Sequence, residues 1–365
     1  MINIALHIME LTQVNNRWGY MKIKVVSFIL IVFLIVLFSL FYFRQSEEPQ
    51  LVHYHKKPIL TKSDKVHLDE DHTLIVQQNA VWKYLNQNID NFVSVYGEPD
   101  RKDPSLYDFE WWVFKQEDFY IQVAVQNETI ISIYSNTDTL DFSPLEIGQT
   151  IKEIEEIYRL QEEIEFDHIR FKLTEDDLQQ RPVLRLSEEV FAQLYIDQFT
   201  EKLAGIRLLN KDAFELLKPY ELFYWGEISE ASEPDEDQWK AIEGGLEKQI
   251  FDLTNEIRAE YELEVLSWDD QAADAAKAHS QDMFEENYFS HYSLNGDGLK
   301  ERLLAANAHY LSAGENIAAH YVDAPAVIHG WLNSEGHREA LLKEEYTHLG
   351  VGVYQSFYTQ NFIQK

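Results

Sequence analysis

The chain contains no cysteine, and that absence removes disulfide frameworks, thiolate metal sites, thiol nucleophiles and the acylated cysteine of a bacterial lipoprotein together. Positive charge is also scarce: 31 basic residues face 63 acidic ones, a net charge of −32. Nucleic acid and anionic lipid headgroups are thereby disfavoured as partners because both are repelled, whereas metal ions and cationic ligands are not. The zinc-protease pattern HExxH and the nucleophile-elbow pattern GxSxG are missing as well. Apolar character is abundant, at 45% of residues with 8 Trp, 20 Tyr and 21 Phe, so the bulk of the chain should fold despite its charge. Its 365 residues exceed one ordinary core and predict two soluble domains with appendages.

One appendage is a membrane anchor. Across residues 25–43 only Ser27, Ser39 and Tyr42 are not plainly apolar, and about nineteen residues at 1.5 Å each span roughly 28 Å, close to the hydrocarbon core. Arg17, Lys22 and Lys24 precede the run, and Glu47 and Glu48 follow Arg44. The positive-inside rule then places residues 1–24 in the cytoplasm and the later domains outside the cell. The rival, a cleaved signal peptide, would have a shorter apolar core and a small-x-small ending, whereas this run ends in Phe41, Tyr42, Phe43 and Arg44. A single-pass protein of the cell membrane is expected, held by its own helix. Residues 45–77 read as a polar stalk, on which His53, His55, His67 and His72 are solvated rather than ligating.

Residues 81–225 predict a separate α+β domain with an internal duplication. Two short amphipathic helices, at 88–96 and 149–158, each end on tyrosine and lead into strands. The strands are expected at 109–114, 120–125 and 130–134 after the first helix, and at 168–173, 191–196 and 203–208 after the second. Trp111 and Trp112 offer either a sugar-stacking platform or, more ordinarily, one core and one partly exposed side chain of a strand. Residues 226–239 are acidic, contain Pro234 and carry little to bury, so they read as a linker with few means of coupling its flanks.

Residues 240–365 form the last domain. Leu246, Ile250, Leu253 and Ile257 share one helical face. Asp269 caps a second helix, which buries Ala272, Ala275, Ala276, Met283 and a hydrogen-bonded core histidine, His279. Asp323 and Pro325 open a third helix, a short fourth follows Gly336, and a strand pair is expected at 348–354 and 357–363.

Three motifs in this domain place two imidazoles and a carboxylate 24 and 22 residues apart: NYFSH ending at His291, AGENIA around Glu315 and SEGHR around His337. Each alone has a bland reading as a turn or cap, and Ser290 and Ser334 beside them read as caps rather than nucleophiles. Together with Trp331, the Gly350-Val-Gly352 run and the Gln360-Asn-Phe362 run, they resemble the bacterial branch of the CAP superfamily, the SCP/PR-1-like domain. The turn from Tyr96 to Arg101, Tyr107 and the tryptophan pair resemble the CAP-associated domain that precedes it. The resemblance implies a three-layer α-β-α sandwich for residues 240–365, within an α+β protein. With no cysteine it points to a Gram-positive type of bacterium.

In that family a cleft gathers two histidines and two acidic residues. His291, Glu315 and His337 match three of them; at the fourth position this chain has Ser334, with Glu335 one place on and about 100° around a helix. The resemblance therefore implies a cleft of His291, Glu315, His337, Asn316, Ser334 and Glu335. Within it His291, His337 and Glu315 are the candidate ligands of a divalent metal, zinc first, because such a donor set leaves an open water position. The expected function is an extracellular binding or scaffolding module for a cell-envelope ligand or protein. The alternative is a metal-assisted hydrolase of cell-wall peptide, protein or lipid.

Overall fold

The computed structural model describes residues 80–116 and 119–365. The expected anchor at 25–43 and stalk at 45–77 lie outside them. Among the described residues no helix is long and apolar enough to cross a membrane.

The N-terminal domain is built on a seven-stranded sheet. Its order is Arg101–Pro104, Glu110–Gln116, Phe119–Gln126, Thr129–Ser135, Lys202–Asn210, Val190–Asp197 and Val183–Arg185, antiparallel throughout. The same devices recur on either side of the central pair. Asn88 caps the Ile89–Tyr96 helix and bridges Thr129, while Thr150 caps the Ile151–Ile157 helix and bridges Lys202. Register shifts fall at Ala124/Val125 in one half and Tyr195/Ile196 in the other. The second half adds a three-stranded sheet of Glu221–Tyr224, Ile169–Lys172 and Glu163–Phe166, and the Glu175–Gln180 helix. Trp111 is core, whereas Trp112 carries the Lys102 ammonium 3.4 Å over its ring centroid, so the pair divides between inside and rim.

The C-terminal domain has a four-stranded sheet, ordered Ser267–Trp268, His348–Tyr354, Phe357–Gln364 and Ser312–Ala319. Period-two alternation sends Leu349, Val351 and Val353 into one core with Ile250, Leu253 and Ile257 of the Glu236–Glu260 helix. Gly350 and Gly352 face the Asp270–Glu285 helix, where an added Cβ would meet the backbone nitrogens of Ala273 and Lys277 at 2.0 Å. Helices therefore cover both faces. Asp269 caps its helix as expected, accepting from Ala272 N–H at 2.7 Å. Three elements were not expected: the two-residue Ser267–Trp268 strand, the Leu299–Ala305 helix and the Ser312–Ala319 strand, whose serine, glycine and alanines lack the branched and aromatic residues that mark strands.

The segment expected as a linker is shorter, because the Glu236–Glu260 helix starts inside it with Asp235 and Gln238 forming a capping box. The expectation of weakly coupled domains is also revised. The acidic run does carry little apolar surface, but contact runs through the sheet instead: Val113, Tyr120, Tyr134, Tyr195 and Ala204 share a core with Ile250, Val327 and Ile328. Arg207 Nη2 lies 2.6 Å from both oxygens of Asp323, with neither side chain more than 2% exposed. Tyr134 Oη lies 2.8 Å from His329 Nε2, and Tyr195 stacks on the His329 ring at 4.3 Å.

Replacing Arg207 by alanine strands a buried carboxylate and should lower stability by about 3–5 kcal/mol. Denaturant unfolding followed by tryptophan fluorescence should show one transition for both domains, shifted in Arg207→Ala; two resolved transitions in the parent protein would show the domains to be uncoupled.

Burial, reinforced by Arg207, pushes the His329 pKa from 6.5 to about 3, so this imidazole is neutral in the fold and protonates first in the unfolded chain. Its contribution is complete above pH 6.5 and is lost as pH falls toward 3, at roughly 1.4 kcal/mol per pH unit. Urea midpoints between pH 7 and pH 4 should therefore fall less steeply in His329→Gln than in the parent.

Candidate functional site

Each member of the site is held by a different element. His291 ends a loop that leaves the Asp270–Glu285 helix through Asn287, at φ +52. The Tyr288 hydroxyl bonds the Asp282 carboxylate, Phe289 packs 6.4 Å from Phe357, and the Ser290 carbonyl lies 3.0 Å from Nε2 of the buried His279. His279 is thus the hydrogen-bonded core histidine that its helical face predicts. The loop is pinned, and the His291 side chain stands half exposed, at 49%.

Glu315 lies in the Ser312–Ala319 strand with its side chain 4% exposed. One oxygen is 2.9 Å from His291 Nδ1, and the other accepts from Arg302 Nη2 at 2.6 Å. Burial alone would raise this carboxyl's pKa, but the His291 hydrogen bond and the Arg302 charge outweigh it and hold the group below the usual glutamate value. It is an ionised carboxylate with one partner on each oxygen. Arg302 also donates at 3.1 Å to the carbonyls of His291 and Asp297, tying the loop to the strand.

His337 sits in the Glu335–Leu341 helix, its ring centroid 6.5 Å from that of His291. Burial, with a smaller contribution from His291, lowers its pKa to about 4, which leaves the imidazole neutral at neutral pH. Asn316 does not face the opening: it is fully buried and donates to the His337 carbonyl at 3.1 Å and to Gln360 Oε1 at 3.2 Å. It joins the Glu315 strand to the His337 backbone. Ser334 is the half-buried N-cap of the helix but makes no side-chain cap bond, and Glu335 is exposed in its first turn.

Arg302 is the participant that sequence reasoning missed. Its signal was present in the arginine that follows Leu299 by three residues and precedes Leu303, a charge carried on the apolar edge of a short helix. Its presence decides how a metal fits. One oxygen of Glu315 faces His291 and the other a guanidinium, and among the described residues no group of three or more His, Cys, Asp or Glu side chains is arranged to hold an ion. The three expected ligands converge, with the carboxylate hydrogen-bonded to His291 and paired with Arg302.

The geometry agrees with the comparisons. Residues 85–220 match the CAP-associated N-terminal family, and residues 251–365 match the cysteine-rich secretory protein family. Over 292 residues the chain is 41% identical to YlbC, an uncharacterized membrane protein of Bacillus subtilis strain 168, covering 79% of this chain and 84% of that one. The chain belongs to the CAP superfamily. This CAP protein is also 39% identical over 121 residues to YkwD of the same organism, an alignment covering 33% of this chain and 47% of the other. Among solved structures it is similar to an extracellular SCP-domain protein of Bacillus anthracis strain Ames, at 38% identity and TM-score 0.75, over 84% of this chain and all of that one. A cysteine-rich secretory protein of Staphylococcus aureus Mu50 aligns at 26% identity and TM-score 0.71, over 79% and 94% of the two chains. The CAP fold stands here without cysteine.

If Arg302 keeps Glu315 from serving as a ligand, Arg302→Ala should bind zinc at least about tenfold more tightly than the parent, a gain of roughly 1.4 kcal/mol. Competition against a chromogenic chelator reads this directly. Equal affinities, or tight binding already in the parent, would show that Arg302 is no obstacle.

Proposed function

We propose that this CAP protein is a membrane-anchored, extracytoplasmic binding or scaffolding module. Its cleft presents the His291 and His337 rings to a cell-envelope ligand over the Glu315–Arg302 pair. The apolar run at 25–43, the membrane-protein name of the Bacillus subtilis relative and the extracellular Bacillus anthracis neighbour support the location. The helices on both faces of the C-terminal sheet support a three-layer α-β-α sandwich as its scaffold.

The observation that carries the reading is the pairing of Glu315 with Arg302. A general base needs a pKa near the working pH. Glu315 is held below the usual glutamate pKa by His291 and Arg302, and His337, with a pKa of about 4, is a weak base. The arrangement suits holding a ligand better than moving a proton. The second reading, a metal-assisted hydrolase of cell-wall peptide, protein or lipid, draws on the meeting of two imidazoles with a carboxylate and requires Arg302 to release Glu315.

The double variant His291→Ala, His337→Ala should remain folded, with a modest loss of stability because the buried Glu315 loses its His291 partner, and should lose co-sedimentation with purified cell-wall sacculi. Zinc-dependent turnover of wall peptide or lipid ester that vanishes in the double variant would establish the hydrolase instead. Protease added to intact cells should remove the C-terminal domain from a protein that is otherwise membrane-bound; spontaneous release of that domain into the medium would mean a cleaved signal peptide.

A further inference from the structure

We propose that Asp197, at the end of a strand of the N-terminal domain, is a positioning residue for His337 in the cleft of the C-terminal domain. The inference rests on the reading that His337 belongs to the binding cleft, and it gives the CAP-associated domain a role in that cleft.

The residue after His337 carries the connection. Arg338 places Nη1 and Nη2 each 3.0 Å from the two oxygens of Asp197, a bidentate pair whose carboxylate is 1% exposed. The same guanidinium donates to the Leu332 carbonyl at 3.0 Å and to Tyr261 Oη at 2.7 Å. Phe199, on the turn that follows Asp197, covers it at 4.7 Å. Asp197 fixes that turn in return, accepting from the Phe199 N–H at 2.9 Å. Four residues before His337 a second clasp forms: Asn333 donates to the Ile196 carbonyl at 2.7 Å and accepts from the Gln198 N–H at 2.9 Å. The loop and helix bearing His337 are thus gripped at Asn333 and Arg338 by one turn of the other domain.

The grip matters because the His337 helix has weak internal means of holding its place. It is seven residues long, and its N-cap, Ser334, makes no side-chain cap bond. Within its own domain Asn316 holds the His337 carbonyl from the sheet side. A fixed gap between the His291 and His337 rings needs an anchor on the other side as well, and Asp197 supplies it.

Histidine C2–H exchange, read by mass spectrometry on the full-length protein at neutral pH, tests the inference because it reports each imidazole separately. In Asp197→Ala the His337 rate should rise at least threefold while His279 and His348 keep theirs, and Asp197→Glu should restore most of the difference. Asn333→Ala, which removes the second clasp and leaves the buried carboxylate paired, should change the same histidine in the same direction by less. An unchanged His337 rate in a folded Asp197→Ala protein, or equal changes at all three histidines, would overturn the inference. Should Asp197→Ala fail to fold, an unchanged His337 in Asn333→Ala would do so. Failure of the cleft reading is a separate result: His337→Ala would then leave sacculus binding intact even where Asp197 governs the His337 rate.

Discussion

The buried pair of Arg207 and Asp323 is the constraint from which the rest follows. Asp323 does two things at once: it accepts the Arg207 guanidinium from the N-terminal sheet, and it caps the Ala324–Leu332 helix by accepting from Ala326 N–H at 3.0 Å. The start of that helix is therefore tied to the other domain. One turn on, His329 fits against Gly205, where an added Cβ would lie 2.7 Å from the imidazole. At its end the chain passes through Asn333 and Ser334 to His337. A dry ion pair contributes little net stability against an apolar equivalent. Its effect here is on geometry, since only one docking of helix on sheet satisfies both partners.

The cleft shows the opposite use of charge. Arg302 neutralises Glu315 and pins the His291 loop, which leaves the uncharged His337 ring deeper in the opening. In a chain of net charge −32 a bare carboxylate there would repel acidic ligands. The ion pair cancels that one charge.

Much of this was legible in the chain. Helical periodicity located the Glu236–Glu260 and Asp270–Glu285 helices and marked His279 as core, because side chains at i, i+3, i+4 and i+7 must share a face. The strands at His348–Tyr354 and Phe357–Gln364 carried enough apolar residues to stand out. The strand bearing Glu315 did not, since its residues are mostly small; at one of them, Gly314, an added Cβ would collide with Tyr346. The pairing of Arg302 with Glu315 and the clasp of Asp197 on Arg338 escaped the sequence for another reason, even though Arg302 itself stood out on the edge of its helix. Pairs separated by 13 and 141 positions leave no local period, and only the folded arrangement brings them together.

Gly350 and Gly352 act as a spacer of zero thickness. By letting the Asp270–Glu285 helix rest its backbone on the strand, they set the height at which that helix ends above the sheet. The loop to His291 starts from that height, while Glu315 belongs to the same sheet and is separated from Gly350 only by the strand that carries Asn361. The span from imidazole to carboxylate is thus measured out by two side chains that are not there, some distance from the opening. A relative with alanine at either position would have to lift the helix, and its cleft would be wider by that lift even with every residue of the opening unchanged.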